Sequence, residues 1–249
     1  MTSLTTDEWV RFGRQLMIPE IGAKGQLKIK EGRVFLAGLG GLGSASAYYL
    51  VAAGIGHLRI VDRDRVELGN LNRQILYSID DIGRKKSSAA LDKLTRLNPG
   101  CRIEAFHEEI RADNILELMG DCGLIVDGTD TLNTRKILNT ASLQRGVPLF
   151  LGGVYGLNGM ATTLVPGETA CLECLFPGEE LSRKQTAVLG PLPGLIASIQ
   201  ALEVVKYLLG MQGLLKGRLM RIQGAGFTIK TIAVDKNPNC RVCGRAGDQ

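Results

Sequence analysis

Hydrophobic and polar positions follow two alternating regimes over the first 150 residues. Short, nearly unbroken apolar runs, "RVFLAG" (33–38), "HLRIVD" (57–62), "RIEAFHEEI" (102–110), "GLIVDG" (123–128) and "PLFLGG" (148–153), have the length of strands, most of them buried on both faces. Segments of helical period separate them: an Ala/Ser/Tyr-rich stretch at 43–54, then 85–98 ahead of Pro99, then 131–146 ending at Gly146. Strands alternating with helices predict an α/β fold built on a doubly wound, mostly parallel sheet. After residue 154 the pattern changes. "GMATTLVPG" reads as a strand, the polar stretch 175–193 as a flexible loop, and "LIASIQALEVVKYLLG" as an apolar helix starting near Gly194. "RLMRIQ" and "FTIKTIAV" then predict a hairpin, an antiparallel extension closing the sheet.

Composition narrows the class. With 45% hydrophobic residues in 249, the chain can bury a sizeable core, and we expect one domain over 1–249. Within it, N-terminal helices are expected over 1–32, the alternating strand-and-helix core over 33–154 and a cysteine-containing part over 155–249. The net charge of +5 is spread without a long run of either sign, so a nucleic-acid partner is not expected. The first twenty residues lack an apolar signal core, and no stretch reaches about 18 uninterrupted apolar residues. A cytoplasmic protein without a membrane partner is the expectation. Four of the six cysteines form two C-x-x-C pairs, too few for a disulfide scaffold at this length.

The stretch "VFLAGLGGLGSASAYYLVAAGIGHLRIVDRD" (34–64) carries the first chemistry. Gly38, Gly40 and Gly43 satisfy G-x-G-x-x-G between a strand and a helix, a Rossmann-like cradle. Gly38 permits the tight turn, Gly40 lets backbone approach a phosphate, Gly43 lets helix and strand pack closely, and the helix N-terminus offers amides to an anion. Asp62 ends the second strand, where an acid can accept from ribose hydroxyls. The fingerprint leaves the nucleotide open.

The segment that follows points to phosphate chemistry. Asn70, Arg73 and Gln74 come soon after the ribose acid, and Lys85 and Lys86 open the next helix, where a cation opposes the helix dipole unless an anion meets it. An enzyme that cleaves a nucleoside triphosphate needs such cations to stabilise developing charge, and a dehydrogenase does not. "LIVDGTDTLNTR" sets Asp127 and Asp130 past the fourth strand, at the carboxyl edge where open α/β sheets bind ligands. A carboxylate there can hold Mg²⁺, while Thr129 or Asp130 can equally cap the next helix. His57 and His107 lie in strand patterns and read as structural.

Cys171-Leu-Glu-Cys174 and Cys240-Arg-Val-Cys243 match the ligand grammar of a closed, structural Cys₄ zinc site, although their separation exceeds the usual spacing. A redox C-x-x-C is the competing reading. Cys101 and Cys122 adjoin strands and read as ordinary buried residues.

With these elements in order, the sequence resembles the MoeB/ThiF/HesA adenylyltransferases, bacterial relatives of ubiquitin-activating enzymes. The resemblance runs from "RFGRQLMIPEIGAKGQLKIKEGRV" through "GLGGLG", "VELGNLNRQ", "DIGRKK", "DGTD", "GGVYGLNGMATTLVPGETACLECLFP" and "GPLPGLIASIQALEVVKYL" to "NPNCRVCG". It implies an enzyme that binds Mg·ATP and adenylates the C-terminal Gly-Gly carboxylate of a ubiquitin-like sulfur carrier for molybdopterin- or thiamin-type biosynthesis. Carried over by position, it implies that Gly41 approaches the phosphates and Asp62 holds the ribose. The neighbouring positions Asp64, Gly69, Leu71, Asn72, Gln74 and Thr131 complete the implied nucleotide contacts. Asn70, Arg73 and Lys86 would meet the triphosphate, Asp130 would position Mg²⁺, and Arg14 would reach the partner's site in a homodimer. Lys86 is chosen over Lys85 because the family writes G-x-x-K here, counted from Gly83.

Two places depart from the family. Thr131 stands where asparagine is usual, and the loop before "GPLPG" holds Arg183 and Lys184 but no cysteine. A covalent sulfur relay through that loop is therefore not expected, and a separate sulfur-donor protein is. No fused rhodanese domain is expected after Cys243. Rival readings are an activator of another carboxylate on a peptide or modified tRNA, a non-catalytic scaffold of the same fold, and an NAD-binding oxidoreductase.

Overall fold

The computed structural model describes residues 3–178 and 187–244. Three short N-terminal helices, α1 (Thr6–Arg11), α2 (Gly13–Leu16) and α3 (Gly22–Glu31), precede the core. The parallel strands β1 (Arg33–Ala37), β2 (His57–Val61), β3 (Arg102–Phe106), β4 (Leu124–Asp127) and β5 (Leu149–Tyr155) are joined through α4 (Gly41–Ala53), α5 (Lys86–Leu97), α6 (Ile115–Met119) and α7 (Leu132–Arg145). Then come β6 (Asn158–Leu164), α8 (Leu172–Leu175), α9 (Pro191–Leu209), β7 (Arg218–Gln223) and β8 (Thr228–Ala233).

One eight-stranded sheet runs in the order β3-β2-β1-β4-β5-β6-β7-β8. Its first five strands are parallel and the last three antiparallel, as the change of pattern after residue 154 predicts. Successive side chains leave a strand on opposite faces, so β1 feeds two cores. Val34 and Leu36 pack with α3, α4, α5 and α9, whereas Phe35 and Ala37 pack with α6, α7 and α8.

Two differences from the sequence reading concern the end of β3 and the start of α9, while His57 keeps the structural role expected of it. β3 stops at Phe106, so His107 lies beyond it, with Nδ1 3.3 Å from the Asp62 carbonyl oxygen. Buried His57 pairs through Nε2 with Glu104 at 2.9 Å. α9 starts at Pro191, not near Gly194, because prolines at its first and third positions remove amides that have no intrahelical acceptor anyway. Among the described residues α9 is the one helix long and apolar enough to cross a membrane. Here it packs on α3, α4, β5 and β6, and its buried polar residues serve the core. Glu203 accepts from Thr163 Oγ1 (2.8 Å), Leu215 N (2.6 Å) and Lys206 Nζ (2.6 Å).

The order 3-2-1-4-5 creates a switch point: the chain leaves β1 outward toward β3, then returns to β4 on the other side of β1. Ligands of open α/β sheets bind at the carboxyl ends of such a strand pair. The ends in question carry Gly38 and Asp127.

Candidate active site

The cradle is built by close backbone approach. Gly38 has φ +83°, and a Cβ there would meet the Gly128 carbonyl oxygen at 2.9 Å, across the gap between the β1 and β4 turns. A Cβ on Gly43 would run into the Gly38 carbonyl oxygen, so this glycine lets α4 sit down on its strand. At Gly40, the N-cap of α4, a Cβ would point into open space with Gln74 Nε2 nearest at 3.9 Å. Gly41 lies against Pro193 and the Arg73 stem. The α4 N-terminus thus presents glycine backbone with no side chain of its own in the way, as an anion site requires.

Asp62 braces this turn. Its Oδ2 accepts from Leu39 N and its Oδ1 from Asp64 N, both at 2.7 Å, while Tyr77 Oη donates to the Leu39 carbonyl oxygen at 3.1 Å. Burial raises the Asp62 pKa, opposed by the Lys86 charge and those two amides. Each oxygen keeps a further lone pair for a ribose hydroxyl.

The charged rim comes from the crossover after β2. Lys86, buried at the first position of α5, places Nζ 2.9 Å from Asp64 Oδ2, and its amide donates to the Asp64 carbonyl oxygen at 3.0 Å. Asn70 caps a single 3₁₀ turn over 68–70, its Oδ1 accepting from Glu67 N at 3.2 Å. Arg73 folds onto that turn, donating to the Gly69 carbonyl oxygen (2.8 Å) and Asn72 Oδ1 (3.0 Å). Leu71 joins the edge of the main core. Gln74 is buried with Oε1 lacking a partner among the described residues, at the edge of the cradle. That orphaned acceptor and the open face at Gly40 fit a bound nucleotide.

The two aspartates of β4 and its turn separate sharply. Asp127 is the last residue of the strand rather than beyond it, and it is fully buried. It accepts from Thr129 N (2.9 Å) and Thr129 Oγ1 (2.6 Å) and pairs with Arg135 Nε at 2.9 Å. Burial raises its pKa and Arg135 opposes the rise. This carboxylate is occupied by the fold. Asp130 is exposed and has no hydrogen-bond or ion-pair partner among the described residues. Neither it nor Thr129 caps α7. The cap is Thr131, whose hydroxyl accepts from Thr134 N at 3.3 Å. Asp130 is thereby left available for a cation, and the Thr131 hydroxyl is committed to the helix.

Sequence reading missed two supports of this edge. Arg135 Nη2 donates to the carbonyl oxygens of Thr129 (3.0 Å) and Gly152 (2.7 Å). Gln200 Nε2 donates to those of Asp127 (2.8 Å) and Phe150 (2.9 Å). The available signals were an arginine one helical turn into α7 and a glutamine in a mostly apolar helix. Arg14, on α2 at the protein's other end of sequence, is exposed and makes no polar contact among the described residues. Arg183 and Lys184 lie outside the described residues.

Cys171, Cys174, Cys240 and Cys243 converge. Sulfur–sulfur distances are 3.9 Å for Cys171–Cys174, 3.8 Å for Cys171–Cys240 and 3.5 Å for Cys174–Cys243. Tetrahedral zinc at about 2.3 Å from four sulfurs demands spacings of about 3.8 Å. The cluster is compatible with zinc, and four thiolates would fill its shell and leave it a structural role. Cys101 and Cys122 are buried apart from this cluster, their thiol pKa values pushed up by burial to about 12 and about 11.

The switch-point cradle with its cationic and acidic rim defines a doubly wound α/β nucleotide-binding protein. The chain belongs to the ThiF family, whose model matches residues 12–242. It is 37% identical over 250 residues to a sulfur carrier protein adenylyltransferase of Thermus thermophilus, covering 96% of this chain and 92% of that one. It is also 37% identical to a SAMP-activating enzyme E1 of Haloferax volcanii, over 98% of this chain and 92% of that. Against the adenylyltransferase and sulfurtransferase MOCS3 of Drosophila sechellia, identity is 38% over 97% of this chain, which spans 55% of that protein. A crystal structure of E. coli MccB with MccA-N7isoASN superposes with a TM-score of 0.86 at 25% identity, covering 94% of this chain and 75% of that one.

Proposed function

We propose that this protein is an ATP-dependent adenylyltransferase that activates the C-terminal Gly-Gly carboxylate of a ubiquitin-like sulfur carrier. The observation that carries the reading is Asp130: a carboxylate at the carboxyl end of β4, beside the cradle, without a partner among the described residues and with the helix cap supplied by Thr131 instead. The relatives named sulfur carrier protein adenylyltransferase and SAMP-activating enzyme support the substrate class.

The chemistry suits the residues. A C-terminal carboxylate, with a pKa of about 3.3–3.7, is ionised at neutral pH and needs no general base. Its oxygen attacks the α-phosphorus of ATP, the bond to the β-phosphate oxygen breaks, and pyrophosphate leaves. What remains is to orient two anions and spread the charge that develops between them. The α4 N-terminus and Gly41 receive phosphate oxygens, Asp62 the ribose, and Lys86 and Arg73 the developing charge, with Arg73 giving up its bonds to Gly69 and Asn72. Asp130 would hold Mg²⁺, which supplies further charge neutralisation on the phosphates.

Because no cysteine lies between Cys174 and Cys240, the product is the carrier acyl-adenylate, and sulfur comes from a separate donor protein. A homodimer completes the site. Trp9, Val10, Met17 and Ile18 are exposed around Arg14, and Leu68, Ile75, Ile79 and Ile82 are exposed on the crossover that carries Arg73. Two such patches can cover each other reciprocally about a two-fold axis, bringing Arg14 of one subunit to the other's cradle. The cytoplasm is the proposed compartment.

Carrier-dependent exchange of labelled pyrophosphate into ATP tests the reading. Exchange with a Gly-Gly-ending carrier supports it. Exchange driven by a short peptide instead would favour the second reading, activation of a peptide carboxylate, which the likeness to MccB bound to MccA keeps open.

A further inference from the structure

The two C-x-x-C segments are joined by more than their sulfurs. Glu173 sits between Cys171 and Cys174, and Arg241 sits between Cys240 and Cys243. Arg241 Nε and Nη2 both donate to Glu173 Oε1, at 3.0 and 2.6 Å. The same oxygen accepts from Gly178 N at 3.2 Å. Apart from the sulfur contacts, the other hydrogen bonds of residues 237–244 among the described residues are internal, Cys240 N to the Asn237 carbonyl oxygen, Asn239 N to Asn237 Oδ1 and Gly244 N to the Cys240 carbonyl oxygen. Arg241 is therefore the polar anchor of this tail on the body.

We propose that Glu173 and Arg241 form a positioning clamp that docks the second thiol pair on the first and thereby retains the metal. The inference rests on the zinc assignment above. With 65 residues lying between the two pairs, no local turn sets their separation. Something must register the tail on α8 before four sulfurs can share an ion. An ion pair whose members each lie inside one C-x-x-C sets that register directly. Its electrostatics also fit. Four thiolates around Zn²⁺ carry a net negative charge, which the guanidinium offsets. The Glu173 side chain is 11% exposed with the 69% exposed Arg241 lying against it. Removing Arg241 takes away the tail's polar bond to the body and leaves Glu173 with Gly178 N and the Lys136 charge. Partners that orient metal ligands are typically worth about 10–100-fold in metal affinity.

The test is a double-mutant cycle on the full chain as purified, with Arg241→Ala, Glu173→Gln and both together. Glutamine keeps the acceptor for Gly178 N while removing the charge. Two rates are read: zinc release to a chromogenic chelator, and maleimide modification of Cys240 and Cys243 followed by mass spectrometry. The clamp predicts that Arg241→Ala speeds both roughly tenfold, and that Glu173→Gln added to it brings no further acceleration, since the partner is already gone. Rates equal to wild type in Arg241→Ala, or independent effects that multiply in the double variant, would overturn it. Wild-type protein purified without chelator and lacking zinc would contradict the zinc assignment, and the maleimide rates would then decide the clamp by the same comparison.

Discussion

Asp127 and Asp130 stand three positions apart and have opposite roles, because burial separates them. Asp127 is spent on Thr129 and Arg135, so Arg135→Ala strands a buried carboxylate and should cost about 3–5 kcal/mol in urea unfolding. Lys86→Ala and Arg73→Ala each remove one preorganised charge from the cradle and should lower pyrophosphate exchange by roughly 10²-fold. In Lys86→Ala the abandoned Asp64 carboxylate is more than half exposed, so the loss should fall on rate more than on folding. The contrast between these aspartates was only half legible in sequence. Thr129, Asp130 and Thr131 are all good helix caps, and what selects Thr131 is that Asp127 already engages the Thr129 hydroxyl. The glycine cradle was legible because its spacing carries the geometry. The Lys86–Asp64 pair was not, since its members are 22 residues apart and meet only through the crossover.

That crossover is the element on which the rim depends. Asp81, buried in its second 3₁₀ turn, accepts from Ser78 N (2.8 Å), Ser78 Oγ (3.0 Å) and Arg84 Nη1 (3.0 Å) and pairs with Lys93 of α5. Burial opposes its ionisation, but Lys93 and the Ser78 bonds prevail and hold its pKa down to about 2. A carboxyl depressed on folding stabilises fully above its unfolded pKa of about 4, and the contribution fades as pH falls toward 2. We expect Asp81→Asn to lose about 2 kcal/mol at pH 7, measured by urea midpoints, with the gap to wild type closing below about pH 3. A gap constant with pH would remove Asp81 from this role. α9 shows the opposite kind of legibility. Its apolar body was clear, but "GPLPG" looks like a loop until its prolines are placed in a first turn whose amides need no acceptors.

For the whole molecule the sequence pattern anticipated the change from parallel to antiparallel strands and, through the paired cysteines, the meeting of residues 171 and 240, while the Glu173–Arg241 pair beside them needed the folded chain. The proposed dimer makes a counting prediction. Mixing Arg14→Ala with Asp130→Ala subunits should restore up to about a quarter of native activity, because about half the dimers are mixed and each then holds one complete site. No rescue after verified subunit exchange would confine Arg14 to its own subunit or remove it from catalysis. The central claim is acyl-adenylate formation on a carrier, and intact-mass spectrometry tests it most directly. Enzyme, Mg·ATP and a sulfur carrier ending in Gly-Gly should give carrier heavier by one AMP, with no reductant-sensitive enzyme–carrier adduct, and the AMP-bearing carrier should be absent with a folded Asp130→Ala variant. Carrier left unmodified by the wild-type enzyme across a panel of such proteins, or modified equally by Asp130→Ala, would contradict the account.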